Sequence, residues 1–190
     1  REDIQLLIDQ LDTTLDNIKE IMDKILTRQS IFGTAGGTFS TWLVQRSMLT
    51  VGLRVKKQMD NADKLARALE KDPHVIKVNY PTVEKYPQKE LAKKLFKNSN
   101  MCGAMLSFEM PSDREKINEF MKRLNICHYA PTLGGVRTTM SHPATSSHRD
   151  LPEEMKKALG ITEGLMRISV GIEEPEDLIA DFTQALKAFD

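Results

Sequence analysis

The chain has 190 residues, enough for one domain with an appendage, and its 27 Lys plus Arg balance 27 Asp plus Glu. That neutrality, with no run of like charge, argues against a nucleic-acid or anionic-membrane partner. No apolar run approaches the roughly 20 residues of a membrane helix, no signal-peptide pattern opens the chain, and Cys102 and Cys127 lack metal-like spacing and are too few for a disulfide framework, so a reducing, cytoplasmic setting is expected. The first residue is Arg1 rather than Met, which points to a processed or cut piece of a longer chain.

Residues 3–28 read as one amphipathic helix. Ile4, Leu7 or Ile8, Leu11, Leu15, Ile18, Met22 and Ile25 recur in steps of three and four, a heptad-like stripe. A helix of this length is marginal alone in water, so the stripe is expected to be buried against the next helix or a partner chain. Gly33, Gly36 and Gly37 in "FGTAGG" end it. A second helix is expected from Ser40 to Lys71, with Trp42, Leu43, Leu49, Leu53, Met59, Ala62, Leu65 and Leu69 as its apolar positions; Gly52 weakens it by roughly 1 kcal/mol relative to alanine, and Asp72-Pro73 stops it.

Beyond Pro73 the units shorten. Strands are expected over 74–80, 103–110, 125–130 and 135–142. Helices are expected over 88–97, opened by Pro87, over 113–124 behind a Ser112/Glu115 capping box, and from Asp150-Leu151-Pro152-Glu153 to Gly160. "GLMRISVGIEE" supplies the last strand, and Pro175 opens a final helix with Leu178, Ile179, Phe182, Leu186 and Phe189 on one face. This is an α+β pattern: a mainly antiparallel sheet with helices on one face, preceded by long helices.

Three stretches hold candidate chemistry. In the last strand Met166, Ile168 and Val170 point one way, and Leu165, Arg167 and Ser169 the other. Arginine is seldom buried without a partner. Arg167 is either a fork for a substrate carboxylate or a structural cation paired with a glutamate such as Glu173. "PTLGGVRTT" puts the Thr132 hydroxyl just before Gly134-Gly135, which allows close backbone approach to a ligand or makes a plain turn. "SHPATSSH" carries two histidines and several hydroxyls, but its spacing matches no standard zinc site and no G-x-S-x-G motif supports a serine nucleophile. It reads as a polar loop whose path Pro143 fixes.

In this order, "APTLGG", "SHPATSSH" and "GITEGLMRISVGIEEPEDLIADFTQAL" resemble the C-terminal domain of the Cys/Met-metabolism family of pyridoxal-phosphate enzymes, which includes cystathionine γ-synthase, the cystathionine lyases, methionine γ-lyase and O-acetylhomoserine sulfhydrylase. A weaker similarity runs through "FSTWLVQRSMLTVGLRVKKQMDNADKLARALEKDPHVIKVNYP", giving coverage of about residues 37–190. The resemblance implies the small C-terminal domain of the fold-type I transferase fold over 37–190, with 1–36 as an added helix and Gly-rich linker. It implies that Arg167 binds the substrate α-carboxylate. Thr132 stands where the family has serine before Leu-Gly, here Leu133, and Ser147 stands for the hydroxyl before the second histidine. Val136 and Arg137 fall at the specificity position. Arg137 replaces the glutamate of many lyases and synthases, which is more like the sulfhydrylase branch, and Ser47 replaces the usual glycine after Arg46.

The family also implies pyridoxal 5'-phosphate, a sulfur amino-acid substrate, elimination or replacement at the β- or γ-carbon, and a homo-oligomer. No lysine here has the family's Ser/Thr-x-Thr-Lys context. The expectation is therefore a C-terminal part of such an enzyme that supplies the carboxylate clamp, binds no cofactor by itself, contributes no catalytic residue or metal site, and joins either a cofactor-bearing N-terminal domain or another copy. The alternative is a non-catalytic fragment or paralogue whose heptad helix mediates self-association.

Overall fold

In the computed structural model, residues 2–33, 36–96 and 101–190 are described. The chain divides into two compact units, residues 1–49 and 50–190.

The first unit holds helices α1 (Glu2–Phe32) and α2 (Thr38–Met48). Every apolar seam position of α1 from Ile4 to Ile25 is solvent-exposed in the single chain. The second helix therefore does not bury that seam. Trp42 and Leu43 of α2 are exposed as well, with Arg46 stacked over the Trp42 ring at 6.0 Å.

The expected helix over 40–71 is two helices, because α3 (Val51–Lys71) begins afresh after a turn at Leu49–Thr50. A β-branched Thr50 followed by Val51 and Gly52 makes this the weakest helical stretch of the segment. In the second unit, α3 is followed by β1 (Lys77–Asn79), α4 (Lys89–Leu95), β2 (Met105–Glu109), α5 (Arg114–Arg123), β3 (His128–Tyr129), β4 (Thr139–Ser141), α6 (Glu153–Ala158), β5 (Leu165–Ser169) and α7 (Pro175–Leu186). The sheet order is β1-β2-β5-β4-β3; the β3–β4 pair is parallel and the others antiparallel.

The α+β reading holds. The register aligns Val78 with Phe108, Phe108 with Met166, and Leu106 and Met140 with Ile168, so all these side chains share one face. That face is fully buried together with Ala62, Leu65, Ile117, Phe120, Leu178 and Phe182 from α3, α5 and α7. Phe108, Phe120 and Phe182 form a ring cluster with centroids 6.1–6.2 Å apart, a spacing that favours edge-to-face contact.

The strands are shorter than the alternation predicts, for identifiable reasons. At the start of β1 the His74 amide is taken by the Asp72 carboxylate and the Val75 amide by the Asp72 carbonyl. Before β3 the Asp181 carboxylate of α7 accepts from the amides of Asn125, Ile126 and Cys127 at 2.9, 2.9 and 3.2 Å. Those amides are lost to the ladder, and β3 keeps two residues. The cap of α5 also differs: Asp113, not Ser112, accepts from the amides of Glu115 and Lys116 at 3.1 Å.

Burial alone would push the Asp181 carboxyl up, but the three amides and Gln184 outweigh it and hold it below the usual carboxylate range. A carboxyl depressed in the folded state contributes stability above its unfolded value of about 4 and loses it as pH falls through the lower folded value. Asp181→Ala, which leaves the amides without their acceptor, is expected to cost about 2–4 kcal/mol at neutral pH. Denaturant titrations at pH 7 and pH 3 check this: the gap between wild type and variant should narrow at the lower pH.

Candidate functional site

The second face of the sheet is polar at its centre. Arg167 lies mid-way along β5, flanked by Ser107 on β2 and Ser141 on β4. It is half-buried, and its guanidinium donates one hydrogen bond, from Nη2 to the Pro131 carbonyl at 3.3 Å. Among the described residues it has no ion pair. Glu173, the partner that a structural reading would assign, is engaged elsewhere: its carboxylate accepts from the Thr138 amide at 2.6 Å and the Thr138 hydroxyl at 2.8 Å. A guanidinium whose other N–H groups have no acceptor among the described residues is chemically able to grip a carboxylate through two parallel bonds.

The segment 131–138 is fastened alongside β5. Ser169, on the same face as Arg167, accepts from the Gly134 amide at 2.9 Å, and Gly134 has a φ of +74°, which glycine adopts without strain. The Ile172 amide donates to the Val136 carbonyl at 2.9 Å, and the Gly171 amide to the Thr138 hydroxyl at 2.9 Å. From α3, Gln58 donates to the Gly135 carbonyl at 2.6 Å, and Asn61 to the Gly171 and Glu173 carbonyls at 3.1 and 2.6 Å. Gln58 and Asn61 are 4% and 1% exposed, so these bonds satisfy amides that would otherwise be costly to bury. The segment's backbone is committed to these partners, which is why β4 is confined to 139–141 rather than 135–142.

Of the residues singled out from sequence, the structure brings the 131–133 segment to Arg167. Thr132 and Leu133 are exposed next to Pro131, with the Thr132 carbonyl accepting from Thr139 Oγ1 at 2.9 Å. Val136 and Arg137 are exposed on the same segment, and Arg137 has no ion pair among the described residues. Ser147 is exposed, and its Oγ meets His148 Nδ1 at 2.8 Å; no hydrogen bond joins it to Arg167 or to 131–138 among the described residues. His142 is a buried structural histidine: Nε2 faces the Glu163 carbonyl at 2.7 Å and Nδ1 the Thr145 hydroxyl at 2.9 Å. That pairing assigns the proton to Nε2 and ties the end of β4 to the turn entering β5. Sequence reasoning did not single out Gln58, Asn61, Thr138 or Ser169.

Among the described residues no complete site for pyridoxal phosphate is gathered. Its aldehyde needs an activated lysine amine at the reacting carbon. Lys156, the buried lysine among the described residues, is paired with Glu153 at 2.9 Å. No lysine enters the hydrogen bonds of Arg167 or of 131–138 among the described residues.

Residues 13–187 match the family described as Cys/Met metabolism PLP-dependent enzyme. Cystathionine β-lyase of Lactococcus lactis subsp. cremoris MG1363 is 37% identical over 171 residues, covering 90% of this chain and 44% of the relative. L-methionine γ-lyase of Treponema denticola is 37% identical over 170 residues, covering 88% and 42%. The crystal structure of a cystathionine γ-lyase from Micromonospora echinospora superposes with a TM-score of 0.78 at 31% identity, over 88% of this chain and 43% of that one. The chain thus spans less than half the length of these relatives. The match begins at residue 13, inside α1, so the likeness takes in much of the helix that the motifs alone left outside it. With a family match across most of its length, the chain belongs to the Cys/Met-metabolism family of PLP-dependent enzymes.

Proposed function

We propose that this chain is the substrate-binding part of a PLP-dependent enzyme of sulfur amino acids, of the cystathionine or methionine lyase or γ-synthase type, acting by elimination or replacement at the β- or γ-carbon. The observation that carries the reading is Arg167: a half-buried guanidinium on a core strand with no carboxylate partner among the described residues. In this reading residues 37–190 form the substrate domain, 1–36 the helix and linker that lead into it, and the cofactor is held by a partner domain. Arg167 binds the α-carboxylate. Thr132 and Ser147 supply hydroxyls, Leu133 lines the entrance, and Val136 and Arg137 face the distal end of the substrate, where a cation favours an anionic or polar group over an amine. Binding through two parallel hydrogen bonds also fixes the rotation of the substrate about its Cα, which is how the chain contributes to the rate.

The amide and arginine side-chain resonances of the isolated chain test the clamp. L-Methionine is expected to shift the signals of Arg167, Thr132 and Gly134, while L-methioninamide, which has no carboxylate, leaves them in place. Equal shifts with both ligands, or shifts that survive in Arg167→Ala, would remove the clamp from this site. A second reading, a non-catalytic self-association module, is favoured by the exposed apolar seam of α1.

A further inference from the structure

The paired ladder of β4 and β5 ends at Thr139 and Ser169. Beyond it the two segments stay joined, but through side chains. The Gly171 amide donates to the Thr138 hydroxyl at 2.9 Å, and that hydroxyl donates onward to Glu173 Oε2 at 2.8 Å. Glu173 Oε1 accepts from the Thr138 amide at 2.6 Å. A backbone N–H held by a carboxylate makes a charge-assisted bond, shorter and stronger than one to a neutral carbonyl. Thr138 is fully buried, so without Glu173 its amide and hydroxyl lose their acceptor where water cannot replace it cheaply.

Arg137 therefore stands between two anchored groups. On one side the Val136 carbonyl accepts from the Ile172 amide at 2.9 Å; on the other the Thr138 amide is held by Glu173. The Arg137 side chain is exposed and has no ion pair among the described residues. Loops are ordinarily the more mobile parts of a fold, yet here the backbone is fixed on both sides and only the side chain is free. A recognition residue needs such support from behind to meet its ligand at a set place. The turn that carries Glu173 is itself fastened, because Asn61 donates to the Glu173 carbonyl at 2.6 Å. We infer that Glu173 is a positioning residue for Arg137: acting through Thr138, it fixes the point from which the guanidinium reaches out, and so sets the preference for substrates with an anionic distal group. Every contact it uses lies within the unit 50–190. The inference rests on the proposed placing of Arg137 at the distal end of the substrate.

Two measurements on the 190-residue chain test it. The first uses no ligand. The backbone order parameter of Arg137 is expected near the rigid value of about 0.85 in wild type and below about 0.6 in Glu173→Ala. Glu173→Gln, which keeps an oxygen for the Thr138 amide, is expected to stay rigid. The second compares the binding of L-methionine with that of L-homocysteate, whose distal group is a sulfonate. Wild type is expected to bind L-homocysteate about fivefold more tightly, the effect of one partly exposed ion pair, and Arg137→Ala to remove that preference. Glu173→Ala is expected to bring the ratio of the two Kd values to about one, and Glu173→Gln to keep it near that of wild type. The ratio cancels any loss of folded fraction, so a merely structural role leaves it unmoved. If Glu173 acted only through its charge, both variants would instead raise the preference for the sulfonate, and the assignment would be overturned. A wild-type ratio in Glu173→Ala, or an Arg137 that stays rigid in that variant, overturns it too. A wild type that prefers neither ligand, or binds neither, overturns the placing of Arg137 and the role in preference with it; the order parameters, which involve no ligand, tell that failure apart from a failure of Glu173 to hold the backbone.

Discussion

In a full-length enzyme that carries this segment, Arg167→Ala is expected to raise KM for amino-acid substrates by about 30-fold to several-thousand-fold. The range follows from the 2–5 kcal/mol lost when one partner of a desolvated, charge-assisted pair is removed. Three features are the ground for expecting that class of effect from Arg167. It sits in the middle of a five-stranded sheet, it is half-buried, and its one hydrogen bond among the described residues runs to a carbonyl at 3.3 Å. The lysine variant should recover only part of the loss, because an ammonium is a point charge and cannot hold both carboxylate oxygens in the guanidinium plane. kcat should fall as well, since a carboxylate that pivots carries the Cα out of line with its base. The folded state gives the control. One long neutral-acceptor hydrogen bond is worth about 1 kcal/mol, so the melting temperature should drop by only a few degrees. A variant that melts far below wild type yet keeps its KM while folded would make Arg167 a structural residue.

The mid-strand place of Arg167 was legible because β-strand alternation is a local rule that acts within five residues, but that rule left its partner open between a substrate carboxylate and a glutamate. The polar network that holds the 131–138 segment was not. Gln58 and Asn61 read as ordinary polar positions of a helix, and only the tertiary fold turns them inward onto the Gly135, Gly171 and Glu173 carbonyls. A signal was present: Gln58 and Asn61 continue, in helical steps, the buried line of Ala62, Leu65 and Leu69, so that the stripe changes from apolar to amide at one end. Glu173 was named from sequence only as a structural mate for Arg167; the backbone turn after β5 instead aims it at Thr138. The same limit explains the strands. Their alternation was correct, but their ends depend on which amides distant carboxylates claim, as Asp181 does for 125–127. The α1 seam shows the reverse case: its periodicity was plain, while the single chain leaves it exposed.

Gly171→Ala is the change expected to strike fold and site together. A Cβ at this position would overlap the Val136 carbonyl oxygen and the Glu173 carboxylate, and would lie 2.6 Å from the Thr138 amide nitrogen. Two of these three are backbone atoms, so no side-chain rotation relieves the crowding. The 131–138 segment must then move away from β5, stretching the bonds from Ile172 to Val136 and from Gly171 to the Thr138 hydroxyl. Overpacking against backbone in a buried region costs about 2–4 kcal/mol, which corresponds to a fall in melting temperature of about 5–15 °C for a unit of this size. The segment that moves carries the Pro131 carbonyl, which holds Arg167. Substrate binding should therefore weaken even in the fraction that remains folded. Asn61→Ala provides the comparison. It loosens the same turn by deleting two hydrogen bonds without adding volume, so it should lower stability while displacing the segment less. If displacement of 131–138 is what disturbs the carboxylate site, Gly171→Ala should lose L-methionine binding more than Asn61→Ala at conditions matched for folded fraction. Equal binding by the two variants at matched folded fraction would show that the segment's position does not control Arg167.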